Sequence, residues 1–352
     1  MAELENLKRE NLASTDGSQV QSEPKHIQLS DMLSTLDMKV TYIQPEELKA
    51  RLAEERNSSG SHTKECKVSS IGVIDDFEPE VIEQNAQRVV HGSHGELVVL
   101  AAKGNHPIVA YNASSSELKG KVDNDTLLQA LHDIRDLGDE NCIKTVNLSV
   151  SRTVSFERLN LMMEYAGAEF KEAAGLLTPE NISDKATIVR QAIEKIVADG
   201  PTLEETVRSA FGGYSFHNDM KESLEVSDAM RELAAKDISV VVSAGNAGPG
   251  HISMFSVLAP ETITVCGASA SGTRVDRESS FHGMVDVCEF MHTAVSDKNM
   301  ENTVPVSGTS FAAPDMAQKI AGIRDHGVSA AKLNDIYLTN HDLIVPKEYE
   351  KK

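Results

Sequence analysis

Short apolar runs alternate with longer amphipathic stretches through most of the chain. Residues 68–75 (VSSIGVID) form a compact apolar run closed by an acid. That pattern predicts a strand buried on both faces, as in parallel sheets, with Asp75 at its carboxyl end. Residues 91–102 (HGSHGELVVLAA) read as a turn that enters a buried helix at His91. A short strand follows at 108–111. An amphipathic helix at 126–137 then carries Leu127, Leu128, Leu131, Ile134 and Leu137 on one side. Further strands are predicted at 144–150, 238–243 and 262–268, and a helix at 310–324.

Residues 155–236 differ: they are rich in Glu, Ala, Leu, Lys and Met and poor in β-branched residues. Helices are predicted there near 156–176, 183–199, 202–210 and 219–236, with a break at 211–214 (FGGY). Strands alternating with helices predict an α/β fold built on a largely parallel sheet. There is no internal repeat.

The N-terminal part is organised differently. Residues 1–30 are polar and weakly patterned and predict a disordered or loosely attached tail. An apolar scatter (Leu29, Met32, Leu33, Leu36, Met38, Val40, Ile43) leads to a predicted helix at 45–56 and a Ser/Gly/His linker at 57–63. The expected organisation is a leader at 1–65, suited to a pro-segment or docking arm, a core at 66–330 with a helical insertion at about 155–215, and a tail at 331–352.

Composition narrows the function. The chain has 352 residues, 40% of them hydrophobic, enough for a large core, and a net charge of −20. Such acidity argues against nucleic acid, whose binding needs clustered Lys and Arg. No apolar run reaches the length of a membrane span, and the charged start of the chain lacks the signal-peptide pattern. Cys66, Cys142, Cys266 and Cys288 have neither metal-ligand nor disulfide-framework spacing and read as buried thiols of a reducing compartment. The expected location is cytoplasmic, or outside the cell by a secretion route without a signal peptide.

The stretch 306–314 (VSGTSFAAP) carries the candidate chemistry. It delivers Ser310 to the start of a helix, where backbone N–H groups lack intrahelical partners and the helix dipole favours negative charge. Pro314 falls within the first helical turns, where its missing N–H costs least. A serine needs a base and a group to orient that base. Asp75 at a strand end and His91 at a helix start can meet Ser310 at one sheet edge. An SxxK match at 116–119 has no companion motif and reads as coincidence.

Five blocks, VID at 73–75, HGSH at 91–94, VNLS at 146–149, AGN at 244–246 and GTSFAAP at 308–314, resemble in order the signature blocks of the subtilisin-like serine proteases. The resemblance spans about residues 68–325. It implies a three-layer subtilisin-like fold and peptide-bond hydrolysis through an acyl-enzyme. Asp75, His91 and Ser310 would form the triad, and Asn246 would join the Ser310 N–H in the oxyanion hole. Ser149, Val150, Ser151 and Gly245 would bind substrate. The first histidine of its block is the family's base, so His94 is read as a structural neighbour.

Departures from the pattern also count. Phe77 replaces a glycine, Ser151 stands near the primary pocket where a glycine is usual, and the segment between Ser149 and Asn246 is long. The implied partners are a protein or peptide substrate and a regulatory protein at the insertion, with no nucleic acid and no membrane. No cofactor or metal is expected. The competing expectation is a catalytically weak scaffold that binds a protein partner through its insertion.

Overall fold

The computed structural model describes residues 25–44, 47, 66–83, 88–102, 104–114, 121–202, 216–269 and 275–339. The expected helices at 45–56 and 202–210, the linker at 57–63, the break at 211–214 and the SxxK match lie outside them, apart from residues 47 and 202.

Seven parallel strands form the centre: β2 (Val40–Ile43), β3 (Ser70–Asp75), β6 (Ile108–Asn112), β7 (Ile143–Leu148), β9 (Ser239–Ser243), β11 (Ile263–Ala268) and β12 (Val287–Phe290). Their spatial order is β12-β11-β9-β7-β3-β6-β2. The uninterrupted apolar character of β3, β6, β9 and β11 follows from this position, since every residue in each is buried.

Helices cover both faces. On one side lie α1 (Leu29–Ser34), α2 (His94–Ala101) and α9 (Thr309–Asp325), whose Leu29, Val98, Phe311 and Ile320 share a core with Ile71, Val73, Val241 and Val265. On the other lie α3 (Asn124–Leu137), α7 (Phe216–Ala235) and α8 (Met254–Leu258). There Leu131, Ile134, Met230 and Phe255 meet Ile74, Val146, Val240 and Val242. The result is the expected α/β architecture in three layers.

The helical region adds a further core, built from α4 (Phe156–Ala166), α5 (Ala168–Ala174) and α6 (Ile182–Asp199) together with Met220 and Leu224 of α7 and Val257 and Leu258 of α8. Leu159, Met163, Val189 and Ile193 are central to it. The single helix expected at 156–176 is two, parted at Gly167. Residues 25–43 are built into the fold rather than trailing from it. β1 (Lys25–Gln28) pairs in parallel with β5 (Arg88–Gly92), which pairs antiparallel with β4 (Glu80–Glu83). β2 closes the edge of the main sheet, and Leu29 and Met32 are buried. At the other end, α10 (Ala330–Thr339) continues the fold past residue 330 and buries Leu333.

Two short ladders complete the described structure: β8 (Thr153–Ser155) with β10 (His251–Ser253), and β13 (His292–Ser296) with β14 (Thr303–Ser307). The expectation of four thiols is corrected. Cys66 is bonded to Cys142, and Cys266 to Cys288, which faces it in register on the neighbouring strand. These pairings depend on strand order, which cysteine spacing does not encode. Among the described residues, no helix is long and apolar enough to cross a membrane.

Candidate active site

Because the main sheet is parallel, β3, β7 and β9 all end at the same edge. β3 delivers Asp75 there, β7 is followed by Ser149, and β9 by Gly245 and Asn246. The N-termini of α2 and α9, two helices that pack against each other, reach the same edge.

The structure does not join Asp75 to His91. His91 lies on β5, opposite Val81, and its Nε2 faces His26 Nδ1 at 3.2 Å with the two rings stacked. Asp75 instead takes His94. His94 Nδ1 donates to Asp75 Oδ1 at 2.7 Å. The cause is local. Ser93 caps α2, accepting from the Glu96 N–H, while Glu96 reaches back to the Ser93 N–H. This capping box starts the helix at His94, three residues later than expected, and leaves His91 in extended chain. The S-x-x-E spacing that marks it, Ser93 to Glu96, is legible in the sequence.

Asp75 is almost wholly buried, and its Oδ1 also accepts from the Asp76 N–H at 2.7 Å. With Nδ1 bound to a carboxylate acceptor, the proton of neutral His94 sits on Nδ1 and the lone pair on Nε2. Burial lowers the His94 pKa, but the Asp75 charge, its hydrogen bond, and the charges of Asp76 and Glu80 outweigh that. The net shift is above the ordinary imidazole value. Phe77, the bulky departure from the family pattern, is accommodated by Gly95. A Cβ at position 95 would lie 2.8 Å from the Phe77 ring, so the aromatic can cover the first turn of α2 only because residue 95 has none.

Ser310 is half-buried in the first turn of α9, the position expected from its sequence. Its hydroxyl donates to the Ser149 carbonyl at 3.1 Å, and the Ser149 hydroxyl donates to the Ser310 carbonyl at 2.7 Å. Pro314 accounts for the second bond. It lies well inside the helix, and its missing N–H leaves the Ser310 carbonyl without its usual i+4 donor, a place Ser149 fills. The ring of Phe311, next in sequence, lies 5.6 Å from that of His94, which brings the Asp75–His94 pair up to the serine helix.

Asn246 is exposed at the end of β9. Its Oδ1 accepts from the Thr309 N–H at 2.8 Å and the Thr309 hydroxyl at 3.0 Å, which fixes the amide with Nδ2 as its donor, beside Gly308. The Ser310 N–H, second in the helix, has no intrahelical acceptor. Val150 and Ser151 are half-buried on the segment after β7, and Gly245 is buried opposite them. Asp76 is buried, and its carboxylate accepts from the Glu78 N–H at 2.9 Å and from the Ser114 hydroxyl.

No protein-family model and no curated protein sequence matches the chain. Among solved structures it is similar to a cold-adapted subtilisin-like serine proteinase, at 14% identity over 77% of this chain and 81% of that chain, with a TM-score of 0.43. It is also similar to the self-cleaved protease domain of PatA, at 12% identity over 77% and 88% with a TM-score of 0.45. A third is the nisin leader peptidase NisP from Lactococcus lactis, at 13% identity over 77% and 82% with a TM-score of 0.47.

Proposed function

We propose that the chain is a subtilisin-like serine endopeptidase whose base is His94 rather than His91. The observation that carries this reading is the buried Asp75 holding His94 Nδ1 at 2.7 Å, beside the helix that presents Ser310. In this mechanism Ser310 leaves the Ser149 carbonyl and turns its hydroxyl to His94 Nε2. As Oγ attacks the scissile carbonyl, Nε2 takes the proton, and Asp75 stabilises the imidazolium. The oxyanion is met by Asn246 Nδ2 and the Ser310 N–H. The C–N bond then breaks as His94 returns the proton to the leaving amine. Water, activated by the same imidazole, hydrolyses the acyl-enzyme. Residues 149–151, beyond the paired part of β7, are suited to hold the substrate backbone in extended form.

The two disulfides favour work in an oxidising compartment over the reducing one read from the cysteines alone. One observation favours the scaffold alternative. Leu161, Tyr165 and Leu176 of the helical region are more than half exposed, as a surface for a protein partner would be. The enzyme reading is tested by treating the purified chain with an alkyl fluorophosphonate. Wild type should be labelled on Ser310, and Ser310→Ala should be neither labelled nor able to cleave peptides. A folded wild type that resists the reagent contradicts the enzyme and leaves the scaffold.

A further inference from the structure

We infer that the space receiving the substrate side chain on the acyl side is closed by Ser151 and Thr153, which restricts cleavage to sites after small residues: glycine, alanine or serine. This rests on the reading of Ser310 as the nucleophile.

The location follows from the reacting atoms. The scissile carbonyl carbon must lie against Ser310 Oγ, with its oxygen toward Asn246 Nδ2. The Cα that carries the acyl-side residue is one bond, about 1.5 Å, from that carbon. Its side chain therefore enters the gap between the segment after β7, which holds Ser149, and the segment after β9, which holds Asn246.

That gap is stitched shut. β8 and β10 continue the two segments and pair with each other, Thr153 opposite Ser253 and Ser155 opposite His251. The Met254 N–H donates to the Arg152 carbonyl at 2.8 Å and the Phe156 N–H to the Gly250 carbonyl at 3.1 Å, one at each end of the ladder. A third segment closes in as the Ser280 N–H donates to the Gly245 carbonyl at 2.8 Å.

Two side chains lie across what remains, Ser151 half-buried and Thr153 exposed. Gly245 has a φ of +98° and no Cβ, and the space a Cβ would take is already occupied. Ser151 Oγ would lie 2.9 Å from such an atom and Ser280 Oγ 3.4 Å, with the methyl of Thr153 closer still. The wall does not readily swing away. Arg152, between the two residues that fill the gap, is held by Glu222 Oε2 at 2.6 Å and by the Asp219 carbonyl at 3.1 Å, both on α7. A phenylalanine or lysine side chain would have to break that stitching, whereas a methyl or hydroxymethyl group needs little room.

The test uses three probes on the full chain: an alkyl fluorophosphonate, and two peptidyl phosphonates that differ only in an alanine or a phenylalanine side chain next to phosphorus. Wild type should react with the alanine probe at least tenfold faster than with the phenylalanine probe. Thr153→Ser and Ser151→Gly, singly and together, should bring that ratio toward one, and using a ratio cancels any general loss of reactivity. Equal or faster labelling by the phenylalanine probe in wild type overturns the inference while leaving the nucleophile in place. A ratio unmoved in the double variant overturns the assignment to these two side chains. If the fluorophosphonate also fails to react, the serine reading itself fails and the inference falls with it.

Discussion

His94 is held between two opposed effects, and their balance sets how the site responds to pH. Burial disfavours the imidazolium, but the Asp75 carboxylate, reinforced by Asp76 and Glu80, favours it more, so the pKa lies above 6.5. Catalysis needs Nε2 unprotonated. Activity should therefore fall as pH drops through a midpoint above 6.5, not below it. Replacing Asp75 with Asn removes the stabilising charge and the tautomer lock. The midpoint should move down, and kcat/KM should fall by about 10⁴-fold, the order of the loss in turnover when this carboxylate is replaced in other triads. A pH profile of kcat/KM for the two proteins checks both. A wild-type midpoint at or below 6.5, or one unmoved by Asp75→Asn, contradicts the pairing.

At the scale of elements, what could be read in advance was whatever local pattern alone dictates. β3, β9 and β11 are largely apolar runs because both their faces are covered, and their positions, like that of β7, were legible to within a few residues. β1, β4, β5, β8 and β10 were not. They have three to five residues each, and the β1–β5 and β8–β10 ladders join segments far apart in sequence. Ser310, Asn246 and Asp75 were legible because each sits just inside or beyond an element with a clear pattern. The histidine that pairs with Asp75 is 94 rather than the expected 91, because the capping box of Ser93 and Glu96 moves the helix start from residue 91 to residue 94. The sequence places Pro314 within the first helical turns, where its missing N–H costs least. Its effect became visible only with Ser149, 165 positions earlier, donating to the carbonyl that the proline leaves free.

For the molecule as a whole, the parallel sheet does most of the positioning, since it sends three strand ends to one edge and leaves the opposite edge to hold them in place. Cys66–Cys142 lies at that opposite edge. It joins the chain before β3 to the chain before β7, across a sequence separation of 76. Closing a loop of that length removes unfolded-state entropy worth about 4 kcal/mol at room temperature. Cys66→Ser should therefore lower Tm by several degrees in oxidising buffer, as read by calorimetry, and a reductant should have a smaller effect on the variant than on wild type. An unchanged Tm would mean that the bridge adds nothing to the fold.

The central claim is that Asp75, His94 and Ser310 act as one unit while His91 serves the N-terminal strand. Its most direct test is the rate of fluorophosphonate labelling in His94→Gln and His91→Gln, each checked for fold by circular dichroism. Labelling should fall by at least about 10³-fold in His94→Gln, since losing the base of such a triad costs up to about 10⁶ in turnover, and by no more than severalfold in His91→Gln. The reverse result, with residue 91 essential and residue 94 dispensable, would contradict the account.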